Sequence, residues 1–351
     1  MSTTIKAPTS VGVSRWTRTS IAGTSSSAVL IIVLAALPYL INLATIYALI
    51  DLFILAILAS TWNLLAGYGG MVSVGQQAYI GIGAYSLVTI GDLLGLNVFV
   101  VIPLAAVISA LVAYPVSFLA FRLSGGYFAI GTWVIAEVVR LIVIQIPQVG
   151  GGAGISFGSM AGIPRDLRIA LSYWVALVCV VAVVATCILL VRSRFGLSLT
   201  ALRDDPRAAA TSGVNVQATK RLVFVVAAGG AGLAGALIAL STLRVQPDGV
   251  FSVQWSAYMI FIVVIGGVGT LEGPLIGVIL FWLAKQWLAD FGPLYLIGLG
   301  VVGVVFVLWA RGGIWGIVSR NRPIDLFPVG YAARTSIPIG HRDDPNHSPK
   351  R

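Results

Sequence analysis

The feature that most constrains this chain is a series of long apolar runs between residues 28 and 310, with one hydrophilic interruption. A helix needs about 20 mostly apolar residues to cross the hydrocarbon core of a bilayer. Only 10% of the residues are charged and 58% are hydrophobic, whereas a soluble domain carries roughly 25% charged residues. The chain therefore belongs in a membrane. A soluble enzyme, a disordered protein and a nucleic-acid-binding protein are excluded, despite the net charge of +10.

Glycine, proline and polar residues divide this region into segments of transmembrane length. Residues 28–66 can cross twice, because at about 1.5 Å per residue they extend for roughly 58 Å. A glycine-rich break divides residues 257–289 into two short spans. The other predicted spans are 72–90, 98–121, 127–146, 169–191, 222–243 and 294–310. The predicted fold is an all-α polytopic membrane protein with ten helices, or with eight if residues 257–289 form a re-entrant pair.

The basic residues predict the orientation, since Lys and Arg mark the cytoplasmic side of membrane proteins. Three lie in residues 1–27, six in residues 192–221 and seven in residues 311–351. Both ends should then be cytoplasmic, which requires an even number of spans. The predicted domains are a cytoplasmic arm over 1–27, a membrane domain over 28–310 and a basic, mobile cytoplasmic tail over 311–351.

Residue types needed for enzymatic or metal chemistry are scarce. Cys179 and Cys187 are eight residues apart in one predicted helix, roughly 12 Å, which is too far for a disulfide. His341 and His347, the only histidines, lie in the tail. No Gly-Lys pair occurs, so the chain lacks a phosphate loop for ATP hydrolysis. We expect no enzymatic activity, metal or cofactor.

The hydrophilic interruption, residues 192–221, predicts a short cytoplasmic helix. Asp205 can cap a helix that begins at Pro206, a favoured first residue. Alanines follow, and Gly213 is suited to the C-terminal end. Such a helix could fit a groove on a partner protein, or it could be a solvated connector.

This segment resembles the coupling motif of ABC importer permeases, which reads Glu-Ala-Ala, three residues, then Gly. The chain has Arg207-Ala-Ala-Ala-Thr-Ser-Gly213, with arginine in place of the glutamate. The wider segment Ala201–Asn215 resembles the LivM-type permeases of branched-chain amino acid importers. Three glycine-rich blocks, within residues 63–85, 125–140 and 265–277, also resemble that family and follow its order.

The resemblance implies a permease in the bacterial cytoplasmic membrane, surrounded by lipid. Its implied partners are a sister permease, two cytoplasmic ATPases, an external solute-binding protein and a small-molecule solute. Closure of the ATPases would pull on the short helix and tilt the helix bundle. The residues that the resemblance assigns to coupling are Arg203, Asp204, Asp205, Ala208, Ala209, Gly213 and Asn215.

Polar residues inside the membrane are costly and are usually functional. Glu137 and Arg140 are three residues apart, so they can pair on one helix face, either as a structural pair or beside the solute. Asp51 is expected at an outer turn. Gln76 replaces a histidine common in the resembled family, which leaves the substrate class open. The predicted pathway residues are Asn63, Gln76, Gln77, Glu137 and Arg140.

Glycines in the membrane region have two interpretations. Small residues let helices approach closely in lipid. Alternatively, they break helices beside a pathway, because non-helical backbone at membrane depth needs protein or water around it. The glycines predicted to serve one of these roles are Gly67, Gly70, Gly75, Gly266, Gly267, Gly269 and Gly273.

Two rival functions stay open. A permease of the same family could carry urea, short amides or another small solute. An ion-driven secondary transporter would usually have several carboxylates within the membrane, and Glu137 is the only acid well inside a clear predicted span.

Overall fold

The computed structural model describes residues 12–14, 18–158, 160, 162–288, 294–309, 312–319, 326–327 and 332–334. The helices are α1 (Arg18–Ala36), α2 (Leu43–Asn63), α3 (Gln77–Val88), α4 (Val98–Ala120), α5 (Gly126–Ile144), α6 (Arg165–Arg192), α7 (Arg194–Asp204), α8 (Pro206–Thr211), α9 (Val216–Thr242), α10 (Pro247–Val250), α11 (Gln254–Gly266), α12 (Glu272–Leu288), α13 (Leu294–Trp309) and α14 (Gly313–Ser319). The predicted all-α class is confirmed. The predicted mobile tail lies largely outside the described residues.

Seven helical stretches within the described residues are long and apolar enough to cross a membrane. They are Ser20–Tyr39, Leu43–Tyr68, Val98–Ala120, Gly126–Ile144, Arg165–Arg192, Val216–Thr242 and Pro247–Gly266. The helices α3, α12 and α13 occupy the other three predicted spans, but they have only 12, 17 and 16 residues. The division of residues 28–66 into two helices is correct, and the count of ten crossings stays a prediction.

Helix α9 is the centre of the bundle and packs against α2, α3 and α4. Its small residues allow this, since added methyl groups at Gly232 and Gly235 would overlap Ser109 of α4 and the Ile80 carbonyl of α3. On the facing side, a methyl group at Gly83 would overlap the carbonyl oxygen of Gly232. The backbones of α3 and α9 are therefore in direct contact, as small residues permit in lipid.

The chain between α2 and α3 is not regular α-helix. A π-helical turn, Leu64–Tyr68, extends α2, and an irregular segment over 69–76 then leads to Gln77. Neighbouring helices satisfy its backbone: the Trp62 indole donates to the Ser73 carbonyl (2.9 Å), and the Ser256 hydroxyl donates to the Val74 carbonyl (3.1 Å). Irregular backbone can exist within a membrane only with such partners.

Two short antiparallel strand pairs join distant parts of the chain. Strand β2 (Ile155–Ser156) pairs with β3 (Arg244–Val245), which ties the loop after α5 to the end of α9. Strand β1 (Gly12–Ser14) pairs with β4 (Ala332–Arg334), with Gly12 opposite Arg334. The segments before α1 and after α14 therefore meet on one side of the bundle.

The prediction that Asp51 lies at an outer turn is wrong. Asp51 lies within α2, and its carboxylate is 2.8 Å from the ammonium group of Lys285 on α12. Each side chain is about a third exposed (31% and 33%). The pair joins residues 234 positions apart in sequence, a separation at which no local pattern could predict the contact.

Candidate functional site

The predicted short helix of the hydrophilic segment is present as α8, Pro206–Thr211. The Asp205 carboxylate accepts hydrogen bonds from the amides of Arg207 (2.8 Å) and Ala208 (3.1 Å), as expected of an N-terminal cap. After the helix, Gly213 has a φ of +85°, the left-handed conformation that glycine adopts without strain. The sequence signals at both ends therefore determine where this helix begins and ends.

Helix α8 presents most of its surface to solvent, with one exception. Ala208, Ala210 and Thr211 are exposed, whereas Ala209 is 4% exposed. Helix α8 packs against α7 and α9. Ala209, which the resemblance assigns to coupling, is therefore packed within the chain itself. A partner could reach Ala208 and Ala210 directly, but not Ala209.

Helix α7 connects α8 to the membrane domain. Its buried residues are Gly196, Leu199 and Leu202, and its exposed residues include Arg194 and Leu197. One face of α7 therefore lies against the bundle, and α8 continues directly from its C-terminal end.

Arg203, at the end of α7, reaches the membrane domain. Its guanidinium Nη1 donates to the Gly67 carbonyl at 3.1 Å, and its Nε donates to Asp204 at 3.2 Å. A methyl group added at Gly269 would lie 2.9 Å from the same Nη1. The resemblance assigns Arg203 to coupling, and the structure places its guanidinium against two glycine breaks rather than on the exposed face of α8.

Asn63 joins the same two breaks. Its side-chain amide donates to the Thr270 carbonyl (2.8 Å), and its side-chain oxygen accepts from the Gly269 amide (2.9 Å). These bonds hold the end of α2 against the turn between α11 and α12. We call the cluster of Asn63, Gly67, Arg203, Gly269 and Thr270 the glycine junction. Both polar groups of the Asn63 side chain therefore form hydrogen bonds within the glycine junction.

The glutamines lie at the N-terminus of α3. The Ser256 hydroxyl of α11 shares its single proton between the Gln77 side-chain oxygen and the Val74 carbonyl. Gln76 is 1% exposed, and neither polar atom of its side chain has a hydrogen-bond partner within the described residues. An unpartnered buried amide is costly, which makes Gln76 the most unusual polar side chain of the predicted pathway set.

Glu137 and Arg140 pair as predicted, with Arg140 Nε 3.0 Å from both carboxylate oxygens. Arg140 also binds Asp248 of α10 at 2.6 Å, and the Asp248 side chain is 81% exposed. The side chains of Arg140 and Glu137 are 23% and 45% exposed. Asp248 lies in α10, which follows the C-terminal end of α9, whereas α8 precedes the N-terminal end of α9. The group therefore lies at the end of the bundle opposite α8.

The seven predicted glycines all lie where a larger residue would meet neighbours. At six of them an added methyl group would approach another atom within 3.0 Å, and at Gly70 it would lie 3.3 Å from Arg203. The partners that sequence reasoning missed are Thr270, Ser256 and Asp248. Each acts through a contact between distant elements, so no motif marks it. Arg203 had a local signal: it is four residues after the buried Leu199, on the same side of α7.

A helical membrane bundle with broken helices, and a capped helix held outside it, defines a polytopic α-helical membrane protein. The comparison of sequences identifies the family. Residues 44–310 match the family described as "Branched-chain amino acid transport system / permease component", and the chain belongs to this family.

Individual relatives agree. The chain is 27% identical over 311 residues to the high-affinity branched-chain amino acid transport system permease protein LivM of Salmonella typhimurium, which covers 81% of this chain and 73% of the relative. The LivM protein of Escherichia coli gives the same identity and coverage. A probable LivM of Methanocaldococcus jannaschii is 23% identical over 278 residues, covering 74% of this chain and 81% of the relative. No solved structure matches the chain significantly.

Proposed function

We propose that this chain is the transmembrane permease subunit of an ABC importer for branched-chain amino acids in the bacterial cytoplasmic membrane. The observation that carries the proposal is α8, a capped helix with exposed small residues that is held against the membrane domain through α7. Small exposed side chains suit a helix that fits into a groove. Membership of a permease family and the similarity to three LivM proteins support the same function.

The proposed assembly contains a sister permease, two cytoplasmic ATPases and an external solute-binding protein. ATP binding closes the two ATPases on each other, and this closure moves α8. The helix bundle then switches between its outward-open and inward-open states. The chain itself catalyses no covalent reaction. An ion-driven carrier is disfavoured because Asp51 and Glu137, acids within α2 and α5, are each paired with a cation.

The proposed orientation places both ends of the chain and α8 in the cytoplasm. Support comes from the distribution of Lys and Arg and from the pairing of β1 with β4. Single cysteines introduced at Ser212 and Ser319, in a chain whose two native cysteines are replaced, should react with an impermeant reagent only in opened cells. Reaction of the Ser319 site in intact cells would contradict an even number of spans.

Uptake by the reconstituted importer tests the function itself. Proteoliposomes with the chain, its sister permease and the ATPases should take up leucine, isoleucine and valine when ATP and the loaded binding protein are supplied. Urea and short amides serve as competitors. Uptake of urea without uptake of any branched-chain amino acid would refute the proposed substrate, while leaving the permease class in place.

Substitutions on α8 test the docking role. Ala208→Glu places a charge on the exposed face, so the ATPase should detach and uptake should be lost while the permease remains in the membrane. Arg194→Glu, on the exposed face of α7, is the matched control. Normal uptake with Ala208→Glu would show that α8 is only a connector.

A further inference from the structure

Arg203 lies where the docking segment meets the membrane domain. It is the next-to-last residue of α7, and only Asp204 and the capping residue Asp205 separate it from α8. Movement of α8 must therefore displace the backbone of Arg203. Within the described residues, the α7–α8 segment is joined to the end of α2 by the hydrogen bond from the Arg203 guanidinium to the Gly67 carbonyl.

The acceptor belongs to the π-helical turn that ends α2. The amides of Gly69, Gly70 and Met71 donate to the carbonyls of Leu64, Ala66 and Leu65. These bonds leave the Gly67 carbonyl directed at Arg203. A cation near the C-terminal end of a helix is favoured by the helix dipole, and a hydrogen bond from a charged donor is stronger than a neutral one.

The same guanidinium lies against the turn between α11 and α12. A methyl group at Gly269 would be 2.9 Å from Arg203 Nη1 and 3.2 Å from the Gly67 carbonyl oxygen. Asn63 fastens this turn to α2 through Gly269 and Thr270. A displacement of the guanidinium therefore acts on both breaks of the glycine junction together.

We infer that Arg203 is a positioning residue that transmits the movement of α8 to the glycine junction, and through it to α2, α11 and α12. This inference rests on the proposed function, because it assumes that ATPases move α8. It differs from a docking role in that Arg203 acts inside the permease. Loss of the Arg203 side chain should leave the ATPases bound and able to hydrolyse ATP, but hydrolysis should no longer drive solute movement efficiently.

The test uses the complete importer in proteoliposomes with Arg203→Gln, Arg203→Lys and the matched control Arg194→Gln on the exposed face of α7. Three quantities are measured: ATPase retained per permease after purification, amino acid transported per ATP hydrolysed, and hydrogen exchange of the peptides covering 64–71 and 266–273. Exchange is compared with and without vanadate trapping of the ATPases.

We expect Arg203→Gln to retain the ATPases and to hydrolyse ATP, but to transport about tenfold less per ATP, consistent with loss of a charged hydrogen bond. Trapping should change hydrogen exchange at both peptides in the wild type and not in this variant. Arg203→Lys keeps the charge but not the planar fork, so its loss should be smaller. Arg194→Gln should match the wild type.

Three results would overturn the inference. Normal transport per ATP with Arg203→Gln shows that the contact transmits nothing. If the glutamine variant does not accumulate, unchanged hydrogen exchange at both peptides on vanadate trapping of the wild type overturns the inference instead. Loss of the ATPases from an otherwise intact Arg203→Gln permease shows a docking contact, and leaves the proposed function standing. Failure of the wild-type chain to bind any ATPase removes the proposed function and the inference with it.

Discussion

Two regions of the bundle depend on glycine, and they are built differently. Where α3 crosses α9, Gly83 and Gly232 bring two continuous helices into backbone contact. In the glycine junction, Gly67 and Gly269 bring together two chain breaks, and side-chain hydrogen bonds from Asn63 and Arg203 hold them. The first contact depends on shape, and the second on a few directed polar bonds.

The difference has a mechanical consequence. Between packed helices, separation by even a small distance loses many van der Waals contacts at once. At the glycine junction, individual hydrogen bonds can break and re-form while each helix stays intact. We therefore assign a scaffold role to the α3–α9 contact and a joint role to the glycine junction. The predictions below are designed to separate these roles.

The largest effect is expected for Gly83→Val. The added side chain would overlap the Gly232 carbonyl, which is backbone of the central helix and cannot move aside. We expect a destabilisation of about 3 kcal/mol, seen as loss of monodisperse protein in size-exclusion chromatography. Gly300→Val in α13, where an added methyl group has no neighbour within 4 Å, is the control. Equal yields of the two variants would contradict the scaffold role.

A smaller effect on stability is expected for Gly269→Ala. Its φ of +78° is left-handed, so alanine adds about 1 kcal/mol of strain and places a methyl group 2.9 Å from Arg203 Nη1. The protein should accumulate and insert, yet uptake should fall severely. The control is Val268→Ala, an exposed position in the same turn. Loss of protein as complete as in Gly83→Val would show that the glycine junction is also scaffold.

The sequence predicts the two regions unequally well. The apolar runs locate the helices because burial in lipid demands apolar residues, and Asp205 with Pro206 locates α8 because capping is local chemistry. A packing or helix-breaking role for Gly67 and Gly269 is predictable, because both lie in glycine-rich stretches of the membrane region. Their contact with Arg203 is not, since Gly67 and Arg203 are 136 residues apart and meet only through the arrangement of whole helices. The contact between Asp51 and Lys285 was missed for the same reason.

The smallest effect is expected at the ion group that joins α5 to α10. Like the glycine junction, this group is held by directed polar bonds, but its side chains are partly exposed to solvent. Glu137, Arg140 and Asp248 form a three-membered ion group in which Arg140 is shared. Glu137→Gln leaves Arg140 paired with Asp248, so it should cost little. Arg140→Gln leaves two carboxylates close together without their cation, so it should cost more, and the double variant Glu137→Gln with Arg140→Gln should lie between them.

Because these side chains are in part solvated, all three changes should stay within about 1 kcal/mol. Thermal unfolding of the purified variants at low and high salt measures this, and the differences should shrink at high salt as screening increases. Uptake should persist in all three if the group only holds α10 against α5. A Glu137→Gln variant that unfolds as readily as Gly83→Val would mean that this group is buried by a partner subunit. The ion group of Glu137, Arg140 and Asp248 would then have a scaffold role, like the α3–α9 contact, instead of being a partly exposed group at the end of the bundle.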